Sequence, residues 1–597
     1  MHMNRRTLSA VLTLLIASIP SLAQVAGIDS PVCNAKFAEI LVEGQVMESK
    51  SVVEPVKRIK ILIRAAEFLW KHDPPTARAY LAEAWKIAND RFKEIGFEKK
   101  DHARGTYQQL PDQRMEVIRS IAKLDSEWAK KLSEQMLADY DKSKAERKGD
   151  ETRELGELLR LAQASAKSNP ELSRYLFRRV MKYPLYNHWF FNFHRLATDQ
   201  IPFADSLYAE ALTAYAKESP RRMLYLSAYP FASERIMGYE KFNLGSGKPE
   251  TLAPNPTFER RFLNMFFDRI AQFAASEEEM NKPVEKYDVP EAVYMVSGLR
   301  DIEPLVIERH PDLLNRLGIA KSQAASLLTD AGRKQIDEKE KYNQKLGGTF
   351  DDRLADVKKA DGEGKLTDYM ILNLLTWGEK TEEQFEEVES WLAKVKDEKV
   401  RRELTEYFWY LRSKLAINEK RFEDAEKYAL KVPSMDLRAL LGFDIATIHA
   451  KNETDTSALF DTLNRLSKLA RTADNSVAKA QVLLGLANMY ERVNHSVALD
   501  ELGEAIRVTN GLKDPDIFAS SFYRSIQGKD FGFMAGFSTP GYDLEKTFEE
   551  LSKRDFELSL TNAKTLDDKY FRTIAVIAVA NNCAKNSKPA PKVKAKN

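Results

Sequence analysis

Cysteine is almost absent: Cys33 and Cys583 are the two in a chain of 597 residues. With no CxxC and no Cys/His cluster, a disulfide-knit scaffold and a structural zinc site are both excluded. Glycine (25) and proline (23) are sparse as well. That excludes collagen-like and low-complexity architectures and favours long helices. Net charge is missing too, since 91 Lys+Arg against 89 Asp+Glu leave +2. The chain therefore has no general field that would draw nucleic acid or an acidic polymer. Long hydrophobic runs are the last absence. The longest, Leu8 to Ile19, falls short of the roughly 20 residues a transmembrane helix needs.

That run has a different meaning. Residues 1–23 read as a secretory leader: Arg5-Arg6, the apolar run, a helix-breaking Pro20, and Ser21-Leu22-Ala23 as a small-residue cleavage pattern, with the cut after Ala23. No cysteine follows the small residues, as a lipoprotein leader would require. Arg5-Arg6-Thr7-Leu8 fits either a twin-arginine signal or an ordinary positive n-region. The expectation is an exported protein, periplasmic or secreted. In an oxidising compartment Cys33 and Cys583 are free to pair, yet they stand near opposite ends of the chain. In an extended array they lie beyond disulfide reach; a bond between them would require the array to bring its ends together.

What is present is helical periodicity. From Arg58 to Asp90 the chain writes one complete hairpin. Ile59, Leu62, Ile63, Ala66, Leu69 and Trp70 make the first stripe; His72-Asp73-Pro74-Pro75 breaks it, with Asp73 as cap; Ala77, Tyr80, Leu81, Ala84, Trp85 and Ala88 make the second. Each stripe has more apolar surface than its partner can cover, so the unit needs neighbours. The same grammar returns around Asp125, at Asn169-Pro170, Ser219-Pro220, His310-Pro311 and Val432-Pro433. Two stretches interrupt it. Residues 238–256, with Gly238, Gly245, Gly247, Pro249, Pro254 and Pro256, read as a loop or joint. Residues 347–366, with Gly347-Gly348 and Gly362-Glu363-Gly364, read as a linker. The predicted organisation is thus a leader (1–23), an N-terminal helical block (24–237), the joint (238–256), a middle block (257–346), the linker (347–366), a C-terminal block (367–584) and a disordered basic tail (585–597).

Asn418-Glu419-Lys420-Arg421-Phe422-Glu423-Asp424-Ala425-Glu426-Lys427-Tyr428-Ala429 resembles the second helix of a tetratricopeptide repeat. Ala498, Leu502 and Ala505 repeat its small-large-small spacing, as do Ala77, Leu81 and Ala84. The W-x2-L-G-x2-Y signature is absent and unit lengths vary, so the likeness is to the style of the superfamily. It implies an all-α solenoid of antiparallel hairpins. Leu544, Phe548, Asp555-Phe556, Ala563 and Arg572-Thr573-Ile574-Ala575 also resemble the C-terminal end of uncharacterised exported helical proteins of acidobacterial type, a group that brings no activity with it.

Chemical motifs are few. Gly245-Ser246-Gly247-Lys248 lacks phosphate-loop spacing, and Pro249 stands where a hydroxyl is required. There is no H-E-x-x-H or G-x-S-x-G. Asp351-Asp352 reads as a solvated helix start. No catalytic residue, cofactor or metal ligand is assigned. Two aromatic concentrations stand out. One holds Tyr186, His188 and Trp189, with His188 and His194 six apart and so on different sides of a helix. The other is Gly528 to Tyr542, where Phe531, Phe533, Phe537 and Tyr542 alternate with glycine and proline; here one short β-hairpin is expected near 528–542. Each concentration reads first as packing, and second as a surface touching a ligand or partner. The function expected is a non-enzymatic scaffold binding a protein or peptide on a helical-repeat surface. The alternative is an enzyme acting on a cell-envelope or extracellular polymer through acidic residues in a helical-toroid groove. The basic tail offers weak contact with anionic envelope surfaces.

Overall fold

The computed structural model describes residues 33–96, 99–102, 106–109, 112–143, 151–239, 249–280, 289–336, 349–451, 456–519, 521–538 and 543–586. The leader, Tyr542 and nearly all of the basic tail lie outside them. The fold is all-α, built of antiparallel helical hairpins with small β elements. It divides into two units where the sequence reads as three blocks. A terminal unit joins Met1–Ala77 to Arg402–Asn597, and a middle unit runs from Arg78 to Arg401.

The middle unit pairs neighbours in sequence: Gln113–Ala122 with Ser126–Ser143, Glu151–Ser165 with Pro170–Val180, and His188–Asp199 with Ile201–Ala214. Polar residues set these boundaries as the sequence implies. Asp125 accepts from the Trp128 amide at 2.9 Å and Asn169 from the Leu172 amide at 3.1 Å. A second two-stranded sheet, Lys99–His102 with Thr106–Gln109, has no counterpart in the sequence reading. The stretch read as a linker, 347–366, contains the helix Phe350–Gly362. Thr349 and Asp352 close a capping box at its start, the Thr349 amide donating to Asp352 at 2.7 Å. That local stabilisation starts the helix directly after Gly347-Gly348, and Gly362 and Gly364 fall at its far end.

The terminal unit is organised around the last helix, Lys569–Asn586. Every residue from Thr573 to Ala580 is buried, so this helix is covered on all sides. Leu544–Ser552 and Phe556–Lys564 pack on it, and so do the N-terminal helices Ala35–Glu48 and Pro55–Leu69. The stripe Ile59, Leu62, Ile63, Ala66 and Leu69 is buried as expected, against these elements of its own unit. Polar ties reinforce the union: Lys569 Nζ donates to Ser51 Oγ at 2.8 Å, Lys57 pairs with Asp514 at 2.8 Å, and Arg64 with Glu545 at 3.1 Å. Cys33 and Cys583 are joined by a disulfide, their Cα atoms 5.1 Å apart. The expectation that distance would keep them apart fails because the first and last helices share one core.

Candidate functional site

The feature that departs from plain hairpin packing lies in the terminal unit. After helix His495–Asn510 the chain is pinned by Gln481, whose Nε2 donates to Ile517 O at 3.2 Å and Ala519 O at 2.9 Å. It then forms two antiparallel strands, Ser521–Gln527 and Gly532–Ser538, with Phe522 opposite Phe537, Arg524 opposite Ala535 and Ile526 opposite Phe533. The hairpin thus begins earlier than expected. Its first strand precedes the Gly/aromatic stretch and alternates Phe522, Arg524 and Ile526 inward with Ser521, Tyr523, Ser525 and Gln527 outward. At the turn the Gly528 amide donates to Phe531 O at 3.0 Å. The Phe531 ring lies so close over Gly528 that a Cβ there would fall 2.2 Å from it.

The inner face rests on the helix Glu398–Asn418. Phe533 meets Tyr407 with ring centroids 5.5 Å apart, Phe537 meets Tyr410 at 5.2 Å, and Phe522 stacks on Phe537 at 5.2 Å. Burial pushes both tyrosine hydroxyls above their usual range, so the platform is uncharged. Arg524, the one charge in either strand, turns inward and pairs with Asp436.

Beside the first strand lies a cavity of about 230 Å³. The opening turns of helix Met435–Lys451 line it with Asp436, Ala439, Leu440 and Phe443, and those of Val477–Tyr490 with Val477, Ala478, Gln481 and Val482. Ala519, Ser521 and Phe522 complete the wall. The walls are largely carbon, and Ala439 and Ala478 leave the space that larger side chains would fill. Glycoside hydrolysis commonly uses two carboxyls flanking the scissile bond. Among the described residues that line this cavity Asp436 is the one carboxyl, and it pairs with Arg524.

The residues singled out by sequence divide between the units. Phe533 and Phe537 are turned onto the helices, and Phe531 covers its own turn; Tyr542 lies outside the described residues. Outward on the hairpin stand Tyr523 and Met534 instead, 67% and 64% exposed. In the middle unit Trp189 is fully buried, its Nε1 donating to the Tyr215 hydroxyl at 3.0 Å. Tyr186 is half-buried under Arg222, 5.5 Å from ring to guanidinium. His188 opens the helix His188–Asp199, and its side chain is outside the described set; His194 is buried, Nδ1 facing Phe190 O at 3.0 Å. Sequence reasoning missed Tyr407, Tyr410, Asp436 and Gln481, whose role depends on long-range pairing. The alternation in Ser521–Gln527 was the available signal.

Burial raises the carboxyls of Glu291 in the middle unit and Glu545 in the terminal unit, and neither lines the cavity. Among the described residues no group of three or more His, Cys, Asp and Glu could hold a metal ion, and no helix is long and apolar enough to cross a membrane. Lys380 is a perturbed base. It is 7% exposed, and its Nζ donates to Trp377 O at 2.7 Å and Gly378 O at 3.3 Å just beyond helix Asp368–Thr376. Desolvation, aided by Arg353, brings it from 10.5 down to about 8. Between those values the unfolded chain binds the extra proton, so stability rises with pH across that window. Urea unfolding of the full chain should therefore show a midpoint for the middle unit that climbs from pH 8 toward 10, a climb that Lys380→Met removes. An unchanged slope in the variant would exclude Lys380 as its source.

No protein-family model matches the chain, and no curated protein does. Among solved structures it is similar to a circular tandem repeat protein described as having novel repeat topology and enhanced subunit contact surfaces. The identity is 13% over 92% of this chain and 96% of that one, with a TM-score of 0.17.

Proposed function

We propose that the protein is an exported, non-enzymatic scaffold that binds an extended peptide or protein segment on the hairpin-and-cavity face of the terminal unit. The observation that carries this reading is an apolar cavity of about 230 Å³ bordering a two-stranded sheet whose outward residues Ser521, Tyr523, Ser525, Gln527, Met534 and Ser538 are all uncharged. In a chain that is 30% charged, a neutral face beside an apolar hole is suited to polypeptide recognition. The leader and the Cys33–Cys583 disulfide support export, since such bonds persist in oxidising compartments. Screening the full chain against a library of uncharged and charged heptapeptides by fluorescence anisotropy tests the reading. Saturable micromolar binding by a reproducible subset is expected; no retention anywhere in the library would remove it.

A further inference from the structure

The cavity of the terminal unit has a floor and a mouth. Asp436, Ala439, Leu440 and Phe443 follow helical spacing and so share one face of Met435–Lys451, and Val477, Ala478, Gln481 and Val482 share one face of Val477–Tyr490. These two helices pack together, and Ala439 and Ala478 leave the gap between their faces and the chain at Phe522. Ala439, Leu440, Phe443 and Val482 are buried and form the floor. Ser521 is exposed, and Val477 and Ala478 are half-buried, so the space opens to solvent on their side.

One polar side chain in this lining has its orientation fixed. Gln481 is 8% exposed, and both hydrogens of its Nε2 are taken, by Ile517 O at 3.2 Å and Ala519 O at 2.9 Å. Turning the amide over would set its oxygen against those two carbonyl oxygens, so it stays as it is. Its Oε1 accepts no hydrogen bond from the described residues, which leaves an acceptor in an otherwise apolar wall. The carboxylate of Asp436 is already taken by Arg524.

Resting on the binding reading above, we infer that the cavity is the anchor subsite of the bound segment and takes the indole ring of a tryptophan. The size fits. A dry cavity of about 150 Å³ accepts the six-atom ring of benzene, and this one, at about 230 Å³, is about half as large again, which suits the roughly nine ring atoms of an indole. Phe443 and Phe522 in its wall supply aromatic surface for a flat ring. The indole N–H donates and does not accept, so it complements Gln481 Oε1, which a phenylalanine would leave unpaired. A lysine would bring a charge to a wall whose one carboxylate is spent, and nothing there would offset its lost hydration. A tryptophan seated in a desolvated pocket is the kind of anchor that carries most of the energy of a polypeptide interface.

The probe is a capped, fluorescein-labelled heptapeptide of serine and threonine with tryptophan, benzothienylalanine, phenylalanine, alanine or lysine at its centre, titrated against the full chain. Tryptophan should bind at least tenfold tighter than alanine, with lysine weakest. Benzothienylalanine keeps the fused rings and replaces the N–H by sulfur, so it should bind about tenfold more weakly than tryptophan. Free indole should displace the tryptophan peptide, and benzothiophene should do so less well. Ala478→Leu, which fills the cavity, should bring the tryptophan peptide down to the alanine level; the peptide series uses the natural chain and stands even if this variant folds poorly. Equal binding of tryptophan and alanine, or of tryptophan and benzothienylalanine, would overturn the inference. Free indole bound with no affinity for the tryptophan peptide would overturn it too, as the cavity would then serve a small molecule. Hits from the general library alongside any of these failures would leave the scaffold reading intact and the anchor refuted, whereas a library without hits would remove both.

Discussion

Reduction of the Cys33–Cys583 disulfide should cost the terminal unit about 5 kcal/mol, read as a lower urea midpoint in dithiothreitol than under oxidising conditions. The bond spans 550 positions, so it removes a large loop from the unfolded ensemble. The gain grows only logarithmically with that length, and the figure changes little if the middle unit stays folded while the terminal unit opens. A Cys33→Ser/Cys583→Ser chain should match the reduced protein and lose its sensitivity to reductant. The helices Ala35–Glu48 and Pro55–Leu69 still pack on Lys569–Asn586, so the loss appears in stability while helical circular dichroism stays unchanged at zero denaturant. Identical midpoints with and without reductant would mean that side-chain packing alone holds the ends.

Arg114→Met should be as damaging in the middle unit, by about 3–5 kcal/mol. Arg114 and Asp112 have side chains 0% and 1% exposed and are joined at 2.7 Å, with Asp139 3.2 Å away on the other side. The Tyr140 hydroxyl, which burial pushes well above its usual range, donates to Asp112 at 2.9 Å, and the Phe92 ring lies 3.5 Å from the guanidinium carbon. Removing the cation leaves a buried carboxylate with a hydroxyl and the Arg114 backbone amide, which Asp112 also caps at 2.9 Å, as its remaining partners. Adding Asp112→Asn should restore part of the loss, because a neutral amide carries no desolvated charge. A double variant as unstable as the single one would place the defect in packing rather than in charge.

Much of the helical framework could be read from sequence because its signals are local. The stripe in Pro55–Leu69, the caps Asp73, Asp125 and Asn169, and the prolines behind Asn169 and Ser219 each act within one turn. What was hidden is which elements meet. A stripe declares that a face is buried and is silent about the neighbour. Pro55–Leu69 therefore reads as half of a hairpin with the helix after His72, yet it shares its core with Lys569–Asn586, and the boundary between units falls inside the expected partner. The helix Phe350–Gly362 is hidden by glycines on both sides of it, although Thr349 and Asp352 announce its start. At the site, glycine and aromatic residues marked the second strand correctly. Phe533 and Phe537 nevertheless face the helices, because the face a strand residue takes depends on a register fixed by the partner strand. Arg114 gave no sign at all; an arginine buried between two aspartates looks, in sequence, like any arginine near a helix start.

The jacket around the last helix sets an order on biogenesis. Residues 35–69 leave the ribosome long before Lys569–Asn586, so these helices must keep their apolar stripes uncommitted until that helix has been made. The middle unit, contiguous in sequence, faces no such delay. Any agent that shields Ile59, Leu62 and Leu69 during that interval acts on a core whose two halves are made far apart in time.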